Sequence, residues 1–204
     1  MSMEINEFFQ LLVTNLRESS WFEMVAVFFG LLSVWYSKKV NILVYPTGIV
    51  NVLIYVYICY YSGLYADMGI NVIYFIMSLY GWYHWTHPRK DKKLPLVAFS
   101  TAREHAIAVA LTLISFVVLA FVLKNYTDSN VPYVDSFTTA MFITGMWLMA
   151  LKKVENWLYW IIGDIVSVPL YFYKGLVFTS LQFAIFLLIA VLGYLAWRKK
   201  AINA

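Results

Sequence analysis

The chain has 204 residues, of which 62% are hydrophobic and 13% charged, with a formal net charge of +4. That balance belongs to an integral membrane protein, argues against nucleic-acid binding, and leaves room for one compact bundle but no sizeable soluble domain beside it. The lone Cys59 excludes a disulfide framework or a multi-cysteine metal site and reads as a packing residue.

Residues 1–20, "MSMEINEFFQLLVTNLRESS", carry Phe8, Leu11, Leu12 and Leu16 at helical spacing with Glu4, Glu7 and Glu18 elsewhere. They lack the basic start, apolar run and small-residue cleavage site of a signal peptide, and predict a short interfacial helix. Seven apolar stretches follow: Trp21 to Tyr36, Ile42 to Tyr61, Leu64 to Trp85, Ala106 to Leu123, Ser136 to Leu151, Trp157 to Tyr173 and Leu176 to Trp197. Each approaches the ~20 residues that cross ~30 Å of hydrocarbon, so the expectation is an all-α integral membrane protein with seven transmembrane helices. Residues 198–204 are expected to form a cytoplasmic tail.

Lys38, Lys39, Arg89, Lys90, Lys92, Lys93, Arg103, Lys152, Lys153, Arg198, Lys199 and Lys200 all follow odd-numbered spans, leaving only Arg17, Lys124 and Lys174 on the other side. The positive-inside bias therefore predicts an outside N-terminus and a cytoplasmic C-terminus. "LYGWYHW", ending at Trp85, is similar to "VLGYLAW", ending at Trp197, and Gly81 matches Gly193 at an offset of 112; "KKVN" before the second span echoes "KKVEN" before the sixth. These matches predict a 3+1+3 bundle: repeat one over 21–85, a linker helix over 106–123 and repeat two over 136–197. Four spans separate equivalent helices, so the repeats are expected to be parallel, with a site between them near the bilayer midplane.

The sixth span supplies the most informative face. Trp157, Trp160, Asp164, Ser167 and Tyr171 succeed one another at steps of three or four residues. Asp164 is the one carboxylate deep within a predicted span, where a charge costs at least ~2.5 kcal/mol on insertion scales and usually faces a cavity or a partner. No Lys or Arg lies at matching depth, so the missing cation could be a substrate, with the flanking rings adding cation–π attraction; the alternative is a protonated Asp bonded to a neighbouring helix.

Gly48, Asn51 and Tyr55 form a second stripe, in which Asn51 could bond a ligand or join two helices. On the third span Asn71, Tyr74, Ser78, Trp82 and Trp85 share a face, and Gln182 on the seventh lies near the depth of Asn71. Pro46 and Pro169 are read as interruptions of their spans. His84, His87 and His105 read as interfacial residues, "PRKDKK" as a solvated loop, and no cofactor is called for because neither a phosphate-binding loop nor a nucleophile–base motif is present.

"VENWLYW" from Val154 to Trp160, "GIVNV" from Gly48 to Val52 and "YGWYHW" from Tyr80 to Trp85, in this order and spacing, resemble the bacterial Pnu-type vitamin transporters, the PnuC family. The resemblance covers Trp21 to Trp197. It implies a SWEET-like seven-helix fold, a homotrimer in the inner membrane, and facilitated diffusion of a vitamin that cytoplasmic phosphorylation then traps. It carries Trp160 and Asn51 onto central-site positions, and Asn71 and Gln182 onto polar positions where related sequences place Gln and Glu.

Nicotinamide riboside carriers of the family have Asn where this chain reads "WIIGD" and places Asp164. That difference directs the expectation to the thiamine-transporting PnuT branch, because a carboxylate balances a thiazolium or bonds an aminopyrimidine. Nicotinamide riboside, itself cationic, is the alternative, followed by riboflavin, a proton-coupled vitamin transporter and a non-transporting vitamin-binding membrane protein. The substrate site is expected to comprise Trp160, Asp164, Asn51, Trp157, Ser167, Tyr55, Asn71, Tyr74, Gln182, Tyr171 and Trp82, without a metal and without enzymatic activity.

Overall fold

The structure, a computed structural model, describes residues 21–87, 96–127 and 129–203 together with Gln10 and Thr14. The expected interfacial helix over 1–20, apart from those two residues, and the "PRKDKK" loop lie outside the described residues. Seven long helices follow in order: α1 (Trp21–Lys38), α2 (Val44–Tyr61), α3 (Tyr65–Thr86), α4 (Ala102–Tyr126), α5 (Pro132–Ala150), α6 (Asn156–Tyr173) and α7 (Val177–Ile202).

Several helices outrun the apolar stretches because their polar ends are capped. Thr101 begins α4 with a capping box: its hydroxyl accepts from the Glu104 backbone amide at 3.3 Å, and the Glu104 carboxylate accepts from the Thr101 amide at 2.7 Å. Pro132 opens α5 at a position whose N–H has no helical partner. Arg198, Lys199 and Lys200 continue α7, where basic side chains suit the C-terminal end of the helix dipole. Pro46 lies in the first turn of α2 and so interrupts nothing, whereas Pro169 lies inside α6.

α2 packs between α1 and α3, and α6 between α5 and α7. Two further pairings join these groups: α3 lies against α5, and α1 against α7. α4 packs on α5 and leaves Leu113, Ile114, Val117, Val118 and Phe121 exposed. Covered by α3, α4 and α6, α5 is buried along most of its length, including Ser136, Thr138, Thr139 and Thr144. An apolar exterior around a core holding hydroxyls is the arrangement that lipid requires. α2, α4 and α7 are each long and apolar enough to cross a membrane by length and composition.

Many features recur at an interval of 112 residues. α2 and α6 are in register end to end at that interval. α1 ends with Val40 in the left-handed region and α5 with Lys152, at φ 59° and 55°; α2 ends at Gly63 and α6 at Gly175, at 71° and 76°. At each of the four ends the same two backbone bonds close the helix. Asn41 donates to Tyr36 O and Val40 to Ser37 O, as Lys153 does to Leu148 O and Lys152 to Met149 O. Leu64 and Gly63 donate to Cys59 O and Tyr60 O, as Leu176 and Gly175 do to Tyr171 O and Phe172 O. Tyr45 rests on Gly81, leaving no room for a β-carbon there, and Trp157 rests on Gly193 in the same way, with its ring carbons 2.6 Å from where that carbon would stand.

Candidate functional site

α6 presents Trp160, Asp164, Ser167 and Tyr171 along one face. Asp164 is 2% exposed, and no hydrogen bond or ion pair joins it to another described residue. Ser167, one turn further, is fully buried and its hydroxyl has no partner among the described residues. Buried polar groups normally find partners, so a carboxylate and a hydroxyl one turn apart, both unpaired among the described residues, are candidates for contact with a ligand.

Aromatic rings from three helices line this face. Trp160 stacks on Phe142 of α5 at 5.2 Å and 24°, Phe142 on Phe183 of α7 at 6.0 Å and 14°, and Phe183 on Tyr171 at 4.9 Å and 7°. Two glycines permit the close approach. Gly163 lets Phe142 lie on the α6 backbone, since any β-carbon would overlap its ring, and Gly145 leaves the Trp160 indole nitrogen 3.1 Å from where a β-carbon would stand. Nearly parallel rings beside a carboxylate suit a flat cationic ligand, which gains stacking and charge pairing together.

Towards the end where α6 finishes, Tyr171 lies within electrostatic reach of Tyr55 and Tyr74, and Tyr74 lies near Thr139 of α5. Asp67 and Asp135 flank this group; Asp135 pairs with Lys174 at 2.7 Å and accepts from Ser129 at 2.7 Å.

The remaining expected site residues divide differently. Asn51 donates to the Ala26 carbonyl at 2.7 Å and therefore joins α2 to α1. Asn71 donates to Asp67 O within its own helix at 2.9 Å. Gln182 is buried on α7, but the residue 112 positions from Asn71 is Phe183, whose ring belongs to the aromatic series. Trp82 is exposed. Trp157, one turn before Trp160 on the same α6 face, is buried in an apolar cluster with Tyr45, Trp85, Met149, Val154 and Trp197, against which Trp160 also packs. Trp160 faces both that cluster and the Phe142 ring. Phe142, Phe183, Gly145 and Thr139 were not singled out in the sequence, where a Phe or Gly inside an apolar run carries no distinguishing signal. Among the described residues no group of His, Cys, Asp or Glu could hold a metal ion.

Residues 20–199 match the family model described as nicotinamide mononucleotide transporter. The chain belongs to this family. It is 28% identical to the nicotinamide riboside transporter PnuC of Escherichia coli K12 over 207 residues, 89% of this chain and 87% of that protein. It is 27% identical to the riboflavin/roseoflavin transporter RibM of Streptomyces davaonensis over 181 residues, 87% and 84% of the two chains. In fold it is similar to the crystal structure of the vitamin B3 transporter PnuC, with a TM-score of 0.71 at 24% identity over 99% of this chain and 94% of that one. The protein is thus a multi-pass membrane transporter of the PnuC family, and its relatives are transporters rather than enzymes. The relatives' names give nicotinamide riboside and riboflavin, not thiamine, and this moves the expected order of substrates.

Proposed function

We propose that the chain carries nicotinamide riboside across the bacterial inner membrane by facilitated diffusion. The observation that carries the proposal is the unpaired, buried Asp164 and Ser167 beside parallel rings, in a chain whose relatives include nicotinamide riboside transporters. The pyridinium stacks along Trp160 and Phe142, its positive charge faces Asp164, and ribose hydroxyls bond Ser167 and Gln182. Tyr55, Tyr74 and Tyr171 line the approach. Cytoplasmic phosphorylation of the vitamin keeps the gradient inward, so the cycle needs no ion or nucleotide motor.

The architecture in this reading is a SWEET-like 3+1+3 parallel repeat: α1 to α3 and α5 to α7 form two bundles, α4 links them, and rocking of one bundle against the other exposes the site alternately to each side. The recurrence of helix bounds, left-handed turns and Tyr45/Trp157 contacts at 112 residues supports it. The basic ends of α1, α3, α5 and α7 face the cytoplasm. All seven helices span the bilayer, and the molecule assembles as a homotrimer, which the mass of the detergent-solubilised particle checks.

Titration of the purified protein with nicotinamide riboside, thiamine and riboflavin tests the substrate. Saturable binding of nicotinamide riboside alone is the expected result. A specific observation favours thiamine as the second reading: Asp164 itself, a carboxylate able to pair with a thiazolium. Saturation by thiamine without a response to nicotinamide riboside would reverse the order, and uptake driven beyond equilibrium by a pH gradient would replace facilitated diffusion with proton coupling.

A further inference from the structure

At the basic end of the bundle, two indoles are exchanged between the halves. Trp85, at the end of α3, donates to Met149 O at 3.3 Å and Ala150 O at 3.2 Å; Trp197, near the end of α7, donates to Ser37 O at 3.1 Å and Lys38 O at 3.3 Å. All three correspondences are 112 residues apart: donor with donor, and each acceptor with its counterpart. The acceptors are last-turn carbonyls of α5 and α1. Met149 O and Ser37 O also accept from the turn amides of Lys152 and Val40, whereas Ala150 O and Lys38 O stand at the very ends of their helices, where a helix leaves carbonyls without an internal partner. Each half therefore completes the helix end of the other.

Equivalent residues also meet directly. The Ser37 hydroxyl donates to the Met149 sulfur at 3.1 Å, and the Trp85 and Trp197 rings lie 6.5 Å apart. Tyr45 packs edge-on against Trp85 and Trp157 against Trp197, at 5.2 and 5.6 Å. Val97, from the segment preceding α4, adds to this buried cluster, while Ala98 bonds backbone to backbone with Lys152 and Val154. The turns that present the acceptors are strained: Val40 and Lys152 hold left-handed φ without being glycine. Lys152 extends its ammonium over the Trp85 ring at 4.7 Å, and burial pushes that ammonium below the ordinary lysine range.

We propose that Trp85 and Trp197 form the gate at the basic end of the transport path, closed in this structure, and that the path opens there when the two indoles release the carbonyls of the opposite half. The inference rests on the alternating-access reading. It does not depend on which vitamin is carried.

Ser78 provides the sensor: it is buried on α3, two turns behind Trp85 on the same face, as Ala190 is behind Trp197. In a Cys59→Ser, Ser78→Cys protein reconstituted in vesicles of each orientation, a membrane-impermeant maleimide is applied from the side that carries the C-terminal lysines. Trp85→Phe with Trp197→Phe keeps the rings and removes the donors, and is expected to raise the labelling rate from that side about tenfold. An unchanged rate in a cooperatively melting double variant overturns the gate.

Should that variant fail to fold, Ser37→Cys with Met149→Cys, bridged by a short bifunctional thiol reagent, is expected to stop uptake while vitamin binding persists. Bridged protein that transports at the unbridged rate overturns the proposal. Labelling needs no substrate, so a responsive thiol in the Ser78→Cys background of a protein that binds none of the vitamins would refute the proposed substrate and leave the gate standing.

Discussion

Trp160 lies against Gly145, its indole nitrogen 3.1 Å from the place a β-carbon would occupy. The ring is thereby held nearly parallel to Phe142, and its position depends on a residue of the neighbouring helix that bears no functional group. Gly145→Ala must push the indole by a few tenths of an ångström and tilt the stacking surface. Overpacking of this kind costs about 1–3 kcal/mol, so vitamin affinity is expected to fall about tenfold, with a shifted tryptophan emission. Unaltered affinity in the folded variant would separate Trp160 from ligand recognition.

Asp164 tests the balance between folding and binding. Removing water from a carboxylate without supplying a partner is costly, and Asp164→Asn removes the charge while keeping the shape. The variant is expected to melt higher, corresponding to about 1–3 kcal/mol of added stability. Binding of nicotinamide riboside, whose positive charge faces the carboxylate in the proposed pose, is expected to weaken about tenfold, and that of thiamine, also cationic, to weaken with it. A lower melting temperature together with unchanged binding of both vitamins would remove Asp164 from the site and assign it to the fold.

Asn51 has the reverse expectation. Its amide bridges α2 to the Ala26 carbonyl of α1 at 2.7 Å, and a β-carbon on Gly30 would stand 3.0 Å from that same nitrogen. Asn51→Leu is expected to cost about 1 kcal/mol of stability, in the range of interhelical bonds in membranes, with vitamin affinity changed less than by Gly145→Ala. Loss of binding at unchanged thermal stability would return Asn51 to the ligand.

The helices were legible because lipid demands long apolar runs, and charges or turn residues punctuate them. Their true ends were less so at α4, α5 and α7, since the Thr101–Glu104 cap, Pro132 and the Arg198–Lys200 turn belong to helices without being apolar. On α6, steps of three and four group Trp157 with Trp160 and Asp164. Only packing reveals that Trp157 serves the end cluster. Phe142 and Phe183 show the opposite failure: each is one apolar residue among many until Phe142 of α5 is brought onto Gly163 and Phe183 of α7 onto Phe142. Asn71 reads as polar and inward from its spacing, but its acceptor is the carbonyl of Asp67, one turn back.

The paired glycines of α3 and α7 yield a prediction that depends on no ligand. Tyr45 occupies the space over Gly81 and Trp157 the space over Gly193, both against rigid rings embedded in the buried cluster. Gly69, also on α3, has nothing within 4 Å of its would-be β-carbon. Gly81→Ala and Gly193→Ala should therefore each destabilise by about 1–3 kcal/mol, because neither ring can retreat without disturbing Trp85 or Trp197. Gly69→Ala should stabilise by about 0.5–1 kcal/mol through helix propensity alone. Thermal melts of the three variants in detergent check the set; equal, small effects at all three positions would mean that the ring contacts do not hold the halves together at the basic end.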